Sequence, residues 1–230
     1  MRIGGIEKFS TIDFPGMLSC TIFLAGCNLN CLYCHNPQLI TGQDPHACIS
    51  GEDVMEFLKR RKGMLEGVCI TGGEPTVTEE LRDLIKDIKD LGYKVKLDTN
   101  GTNPDVLKEL VAEGLLDYIA MDVKAPAGKY GDIVGREVDL GAIRKSMEYI
   151  QNCGIEYEFR TTYLPTLNKE DILEIARTIK GSKKYVLQQF RNKLTNDPEF
   201  AKNEPHMESY IRETAQEVND QGQRCEVRGF

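Results

Sequence analysis

Short apolar runs rich in β-branched residues alternate along the chain with longer amphipathic segments. In residues 79–91, leucine and isoleucine recur every three or four positions while lysine and aspartate fill the other face, which is typical of a helix with one buried side. The apolar runs predict six strands, at residues 18–24, 67–70, 94–98, 118–121, 156–162 and 184–189. The amphipathic segments predict six helices, at residues 51–59, 79–91, 104–112, 140–151, 169–179 and 208–219.

Residues that favour helix ends support these boundaries. Ser50, Thr78 and Asn168 stand directly before three of the predicted helices, where a side-chain oxygen can accept hydrogen bonds from the unpaired amide groups. Gly92 and Gly154 follow two predicted helices, and glycine readily adopts the left-handed conformation that ends a helix.

The alternation of strands and helices predicts an α/β fold with a mainly parallel sheet. Eight strand–helix units would form a closed barrel of about 250 residues, so the six units found here favour a partial (β/α)6 barrel. No linker divides the sequence, and we expect one domain over residues 1–230, with a core at about 17–190 and a C-terminal extension at about 191–230. The helix in that extension either caps the barrel or contacts a partner.

Composition narrows the function. The 29 basic and 36 acidic residues give a net charge of −7, which argues against general binding to nucleic acid or to an anionic membrane. The first residues lack the apolar stretch of a signal peptide, and no apolar run of about 18 residues could span a membrane. We therefore expect a cytoplasmic protein.

Three of the eight cysteines lie close together, as Cys27, Cys31 and Cys34 in a C-x3-C-x2-C spacing. An iron–sulfur cube normally takes four cysteines, so three thiolates suggest that one iron stays open for chemistry. A cytosolic chain is not expected to use its cysteines in a disulfide framework. The other five are expected to be small core residues, although one of them could be a fourth ligand: Cys20, Cys48, Cys69, Cys153 and Cys225.

Three other kinds of cysteine site are alternatives to an open cluster. Cys31-Leu32-Tyr33-Cys34-His35 fits the C-x-x-C-H attachment site of c-type haem and contains the C-x-x-C of redox dithiols. Haem attachment implies export, and a dithiol leaves Cys27 unexplained. Structural zinc needs four ligands, often as two separated pairs, and the second pair is absent from the sequence. An open [4Fe–4S] cluster is therefore favoured.

Polar residues follow the predicted strands at their C-terminal ends, where α/β folds gather their ligands. The cysteine loop follows the first predicted strand, and the later strands are followed or ended by Gly72–Glu74, Asp98-Thr99-Asn100, Asp122 with Lys124, and Arg160–Thr162. We expect these groups to converge on one mouth of the barrel.

The spacing of the cysteines, the aromatic residue before the last of them and the later Gly72-Gly73-Glu74-Pro75 resemble the radical S-adenosylmethionine (SAM) superfamily. Residues 9–16, 34–37, 97–101 and 121–124 resemble, in order, the landmarks of glycyl-radical-enzyme activating enzymes. The short N-terminal segment and the Thr-x-Asp-Phe-Pro-Gly motif are most similar to activators of anaerobic (class III) ribonucleotide reductase. Activators of pyruvate formate-lyase are next.

The resemblance implies that Cys27, Cys31 and Cys34 hold three irons of a [4Fe–4S] cluster and that the fourth iron binds SAM. It implies reductive cleavage of SAM, with the electron supplied by flavodoxin or ferredoxin, and transfer of a hydrogen atom from a glycine of a partner enzyme. Two other classes stay open, namely a radical SAM enzyme with a small-molecule or peptide substrate, and a metal-binding or electron-carrying protein without catalysis.

The resemblance also assigns roles to residues around SAM. Gly72 and Gly73 allow close backbone approach, Glu74 pairs with the ammonium group of SAM, and Lys124 pairs with its carboxylate. The remaining contacts it implies are with the adenine (Tyr33, His35), with a cluster sulfide (Asn36) and with the far side of the pocket (Arg160, Thr162). For several of these a plain structural role is the alternative, such as packing for His35 and a solvated surface position for Lys124.

Asp98 and Asp122 match aspartates that help to hold a monovalent cation beside SAM in pyruvate formate-lyase activators. Thr99 and the carbonyl of Ala120 would complete that site, and helix capping is the alternative role for the two aspartates. Asp13, with the turn at residues 14–16, resembles part of the lip that receives the glycine loop of the partner.

Two departures from the family pattern concern the partner. Pyruvate formate-lyase activators carry a histidine near SAM where this chain has Gln189-Phe190-Arg191, and Arg191 is a candidate replacement although its guanidinium is always charged. The stretch between Cys34 and Gly72 lacks the cysteine-rich insertion of many other activators. The absence of this insertion narrows the partner to the enzymes whose activators lack it.

Overall fold

The computed structural model describes residues 1–41 and 49–230. The strands are β1 (Ile3–Ser10), β2 (Ser19–Leu24), β3 (Gly67–Gly72), β4 (Lys94–Thr99), β5 (Tyr118–Asp122), β6 (Glu156–Tyr163), β7 (Tyr185–Gln189) and β8 (Cys225–Arg228). The helices are α1 (Pro37–Thr41), α2 (Gly51–Arg61), α3 (Leu81–Asp90), α4 (Pro104–Ala112), α5 (Tyr130–Val134), α6 (Leu140–Asn152), α7 (Lys169–Thr178) and α8 (Glu208–Asp220). Short 3₁₀ turns lie at Pro75–Val77, Ala127–Lys129 and Phe200–Lys202.

The chain forms two compact units, and β5 contributes residues to both. The first unit contains Met1–Asn28, Asn36–Thr99 and Asn103–Ile119. The second unit contains Leu29–His35, Asn100–Thr102 and Ala120–Phe230.

In the first unit, β1 pairs antiparallel with β2, whereas β2, β3 and β4 are parallel neighbours. The middle strand is buried from Gly67 to Ile70, as expected for a parallel strand covered on both faces. Helices α2, α3 and α4 each contribute apolar side chains to this core, including Leu58, Ile85 and Leu107, all of which have no exposed surface.

In the second unit, β6, β7 and β8 are parallel neighbours. A buried carboxylate links two strands of this part of the sheet. Glu158 on β6 has no exposed surface, and each of its oxygens accepts a hydrogen bond from the guanidinium of Arg228 on β8 at 2.9 Å. Lys184 contacts the same carboxylate at 3.4 Å. Two cationic partners compensate for the desolvation of this charge.

The six predicted strands and six predicted helices are confirmed, each within two residues of its expected ends. Ser50 accepts from the Asp53 amide at 3.0 Å, and Asn168 forms a reciprocal capping box with Asp171. The Thr78 cap is wrong, because a 3₁₀ turn and a further turn delay the start of α3 to Leu81. Strands β1 and β8 are additional to the prediction.

Two further expectations can be compared with the structure. The α/β class with a mainly parallel sheet is confirmed. Within residues 1–41 and 49–230, no helix is both long enough and apolar enough to cross a membrane.

The predicted core cysteines divide into three cases. Cys20, Cys69 and Cys225 are buried as expected, and burial raises the pKa of Cys20 and of Cys225 to about 12. Cys153 is only half-buried, because it caps the C-terminus of α6 with its thiol 3.3 Å from the Ile150 carbonyl. Cys48 lies outside the described residues.

Candidate active site

The glycine turn after β3 packs directly against the backbone that precedes the first motif cysteine, all within the first unit. Gly72 has a φ of +128°, and a Cβ there would lie 2.2 Å from the Leu24 oxygen. A Cβ on Gly73 would lie 2.0 Å from the Gly26 oxygen. The Gly73 amide donates to the Leu24 carbonyl at 2.9 Å, and the Glu74 amide donates to the Gly26 carbonyl at 2.8 Å. Only glycine permits this approach at either position.

The backbone at Cys27 is held from its other side by α1. The Gly26 amide donates to the Leu39 carbonyl at 2.7 Å, and the Cys27 amide donates to the Ile40 carbonyl at 3.1 Å. Asn36 begins this segment, and its carbonyl accepts from the Leu39 amide at 2.9 Å. The first cysteine is therefore fixed by the glycine turn and by a short helix.

Glu74 is buried, with 1% of its surface exposed. Its Oε1 accepts from the Thr76 amide at 3.1 Å, the Thr76 hydroxyl at 2.6 Å and the Thr99 hydroxyl at 2.8 Å. Asn103 donates to the Thr76 hydroxyl at 2.9 Å. These bonds orient the carboxylate, as a buried charge requires. Thr76 and Asn103 were not singled out by the sequence, although a threonine two residues after a turn-forming glutamate is a recognisable capping pattern.

A row of polar side chains crosses β2, β3 and β4 in the first unit. Thr21, Cys69 and Lys96 are opposite one another in the strand register. Lys96 is 1% exposed and forms an ion pair with Asp98 Oδ1. The Cys69 sulfur lies 3.6 Å from the ammonium of Lys96 and 3.7 Å from the same carboxylate oxygen. At the other end of the row, Thr21 donates to Asp13 at 2.7 Å.

In the second unit, Asp122 forms two ion pairs, one with each carboxylate oxygen. Oδ1 accepts from Arg160 Nε at 2.8 Å and Oδ2 accepts from Lys124 Nζ at 2.8 Å. Burial raises the pKa of this carboxyl, but the charges of Arg160 and Lys124 outweigh burial and hold the pKa well below its usual range. The Tyr130 hydroxyl lies 3.3 Å from the Lys124 amide. Ala120, whose carbonyl was a predicted ligand, is fully buried.

Cys31 and Cys34 belong to a loop of the second unit that later residues cover. The Cys34 amide donates to the Cys31 carbonyl at 3.1 Å, which closes a turn between them. The covering segment (residues 190–200) contacts this loop through bonds that include those from the Asp197 amide to the Leu32 carbonyl at 2.9 Å and from Asn196 to the Asn30 side chain at 3.0 Å. The loop is thereby held along its length, while both thiols stay partly exposed.

The aromatic residues of this loop pack against the covering segment. His35 stacks on Phe190 with ring centroids 6.1 Å apart, and its Nε2 lies 2.9 Å from the Arg191 carbonyl. Tyr33 packs against Phe200 at 6.3 Å and lies under the Lys124 ammonium at 5.9 Å. His35 therefore has the packing role that was its alternative, whatever else it contacts.

The Tyr33 hydroxyl is buried, and in the described part of the chain it has no hydrogen-bond partner. Burial raises the pKa of this hydroxyl well above its usual value, so it stays protonated. A buried donor without a partner is costly, and a bound ligand would relieve that cost.

The remaining candidates are placed as follows. The guanidinium of Arg191 donates to the Gly229 carbonyl at 3.2 Å, so the side chain is engaged with the C-terminal strand region. Thr162 is half-buried on β6, opposite Gln188 of β7.

The three motif cysteines supply the donor type that iron–sulfur clusters take. Cys27, Cys31 and Cys34 are reduced and partly exposed, and thiolates are the ligands of such clusters. Across residues 1–41 and 49–230, no group of three or more His, Cys, Asp and Glu side chains is arranged around one metal position. Cys27 belongs to the first unit and the other two cysteines to the second, so their joint role stays a prediction.

The residues assigned to a monovalent cation do not fit that ion. Asp98 is paired with Lys96, and both oxygens of Asp122 are paired with cationic side chains. Neither carboxylate presents an uncompensated negative charge to an incoming cation.

Comparison with known proteins shows the family. A profile of the radical SAM superfamily matches residues 21–179. A Methanocaldococcus jannaschii protein named "Putative glycyl-radical enzyme activating enzyme" is 36% identical over 220 residues, which cover 92% of this chain and 89% of that protein. The pyruvate formate-lyase-activating enzyme of Clostridium pasteurianum is 28% identical over 194 residues, covering 78% and 76% of the two chains.

Solved structures show the same fold. SuiB of Streptococcus suis superposes with a TM-score of 0.70 at 17% identity over 91% of this chain, which spans only 48% of the SuiB chain. TYW1 superposes with a TM-score of 0.61 at 19% identity over 88% of this chain and 72% of that one. These likenesses confirm the partial barrel. The profile match and the identity to the Methanocaldococcus jannaschii protein show that the chain belongs to the radical SAM superfamily, whose enzymes use a [4Fe–4S] cluster and SAM.

Proposed function

We propose that this protein is an activase that generates a glycyl radical on an anaerobic partner enzyme, which we infer to be an anaerobic ribonucleoside-triphosphate reductase. One observation carries the activase assignment, namely 36% identity over nearly the full length of a protein named for that activity. The choice of partner rests on the Thr11-Ile12-Asp13-Phe14-Pro15-Gly16 motif.

The cluster and SAM, when bound, supply one-electron chemistry. Flavodoxin or ferredoxin provides the electron, and SAM is cleaved to methionine and a 5′-deoxyadenosyl group. That group takes a hydrogen atom from a glycine of the partner, which yields 5′-deoxyadenosine and a glycyl radical. In this proposal Cys27, Cys31 and Cys34 hold the cluster. The bonds from the glycine turn and α1 fix Cys27, and the covering segment fixes the loop that carries the other two. Each of these two backbone segments is thus held in place within its own unit.

We assign the SAM contacts by the same proposal. Glu74, oriented by its threonine partners, pairs with the ammonium group, and Lys124 pairs with the carboxylate. The Tyr33 hydroxyl, which has no hydrogen-bond partner within residues 1–41 and 49–230, supports a ligand contact at this residue. The other proposed contacts with SAM or the cluster are made by His35, Asn36, Gly72, Gly73, Arg160 and Thr162.

A second candidate partner is pyruvate formate-lyase, which the identity to the Clostridium pasteurianum enzyme favours. A small-molecule substrate is a weaker third candidate. A 7-carboxy-7-deazaguanine synthase of Methanopyrus kandleri is 31% identical, but over 134 residues that cover only 50% of this chain.

The test is electron paramagnetic resonance of each candidate partner after anaerobic incubation with the reconstituted protein, SAM and dithionite. We expect a glycine-centred doublet on the ribonucleotide reductase, and none when the radical-bearing glycine of the partner is changed to alanine. A doublet on pyruvate formate-lyase alone would move the assignment to the second candidate.

Formation of 5′-deoxyadenosine separates the remaining outcomes. If SAM is cleaved but neither partner acquires a doublet, the activase proposal is wrong and a small-molecule substrate is favoured. The Cys31→Ser variant is the matched control, because it removes one thiolate and should abolish both cluster and cleavage. SAM cleavage by that variant at the wild-type rate would contradict the cluster assignment.

A further inference from the structure

The carboxylate of Asp98 has a counter-ion built into the strand beside it. Lys96 is two residues earlier on β4, so both side chains lie on the same face of the strand. The ammonium of Lys96 forms an ion pair with Asp98 Oδ1, and the Cys69 thiol donates to the same oxygen at 3.7 Å. This site lies wholly within the first unit.

Because Lys96 is buried, its positive charge requires a partner of opposite charge. Only 1% of this residue is exposed, against 14% of the Asp98 side chain. A buried ammonium persists only when it is paired. The sulfur of Cys69, 3.6 Å away, adds a polarizable contact to the same ammonium group.

A free monovalent ion bound to Asp98 would place a second positive charge beside Lys96. Like charges a few ångströms apart repel strongly in a protein interior, where screening is weak. The carboxylate is already neutralised, so the ion would gain little attraction to offset this repulsion. Asp122, in the second unit, is likewise neutralised by Lys124 and Arg160.

We propose that Lys96 is the permanent counter-ion of Asp98 and takes the place of the monovalent cation, so that SAM binding by this protein is independent of K⁺ and Na⁺. Lys96 is thus a positioning residue that pairs with Asp98 and orients its carboxylate. The part that concerns SAM rests on the proposed function, whereas the part that concerns ion binding does not.

The first measurement uses the cluster-free protein. Thermal unfolding is compared in KCl, NaCl and choline chloride at equal ionic strength. We expect the same midpoint for the wild type in all three salts, whereas the Lys96→Met variant should be stabilised by KCl relative to choline chloride. Wild-type protein that is stabilised by K⁺ in a saturable way would overturn the proposal.

The second measurement is the Kd of SAM for the anaerobically reconstituted protein, by equilibrium dialysis in the same salts. The wild-type Kd should agree within about twofold across the salts. In Lys96→Met the Kd should rise at least about tenfold in choline chloride and recover in KCl, because the ion can then occupy the vacated charge site. A Lys96→Met variant that binds SAM normally in choline chloride would contradict the positioning role.

Two variants separate charge from packing. Lys96→Arg keeps a positive charge and should stay independent of K⁺. Lys94→Met removes a lysine of the same strand that pairs with Asp117 and is 55% exposed, and its response to the three salts should match that of the wild type. If Lys96→Met does not fold, the wild-type salt comparison still decides the proposal. Failure to form a glycyl radical on any partner would refute the proposed function and leave these ion measurements standing.

Discussion

Adding one methyl group at Gly73 tests how closely the glycine turn must approach the backbone before Cys27. The Cβ of Gly73→Ala would lie 2.0 Å from the Gly26 oxygen, 2.6 Å from its carbonyl carbon and 3.2 Å from the Cβ of Cys27. Real Cβ contacts almost never fall below 3.0 Å, so the two backbone segments must separate by about 1 Å or more.

The cost follows from the contacts that this separation strains. Overpacking of this kind costs about 1–3 kcal/mol. The hydrogen bond from the Glu74 amide to the Gly26 carbonyl, 2.8 Å long, would be stretched, and its loss costs about 0.5–1.5 kcal/mol. The sum is about 1.5–4.5 kcal/mol, which lowers the unfolding midpoint of a chain of this size by about 3–18 °C.

Two measurements check this expectation. Thermal unfolding of the cluster-free variant should show the lower midpoint, and anaerobic reconstitution followed by iron and sulfide analysis should show less cluster per chain because Cys27 is displaced. Gly128→Ala is the control, since a Cβ there meets nothing within 4 Å. A Gly73→Ala protein with wild-type midpoint and wild-type iron content would refute the close-approach argument.

Three further substitutions have defined outcomes. Thr99→Val removes the hydroxyl that donates to buried Glu74 at 2.8 Å. The free energy of unfolding in urea should fall by about 1–3 kcal/mol, and SAM should bind more weakly. Unchanged SAM affinity would show that this bond does not orient the carboxylate. Arg228→Met leaves the fully buried Glu158 carboxylate without its bidentate partner and should cost about 3–5 kcal/mol by the same method; a loss below about 1 kcal/mol would mean that the other contacts of Glu158, Lys184 among them, suffice. Tyr33→Phe removes a buried hydroxyl that has no partner among the residues the structure describes. The cluster-free variant should therefore be as stable as the wild type or more stable, while the Kd of SAM rises. Destabilisation of the cluster-free variant would mean that the hydroxyl has a partner in the cluster-free protein.

The sequence predicts the strands and helices well where local pattern and burial agree. Strand β3 is an unbroken apolar run, and α3 repeats leucine and isoleucine on one face, so both were predictable. Strand β1 was missed because Gly4, Gly5 and a mixed burial pattern hide its periodicity. Strand β8 has only four residues and one buried side chain, which leaves too little pattern to detect. Both depend on pairing with a distant strand.

Sequence motifs identified the chemistry of the site but not its internal ion pairs. The family landmarks led to Asp98 and Asp122 without showing what neutralises them. A lysine in a strand is usually solvated, so Lys96 gave no signal until the strand register placed it opposite Cys69 in the interior. Side-chain pairing between strands is a tertiary property, and a single sequence does not encode it in any local pattern.

The contacts of the covering segment have a consequence for the order of events during protein synthesis. Asn196 reaches back 166 positions to Asn30, and Arg191 reaches back 156 positions to His35. A growing chain therefore exposes the motif cysteines long before the residues that secure their loop have been translated. Because such long-range contacts form only after the intervening chain is available, iron loading is expected to follow translation of the covering segment, when the thiols are no longer held in a loose, oxidisable loop.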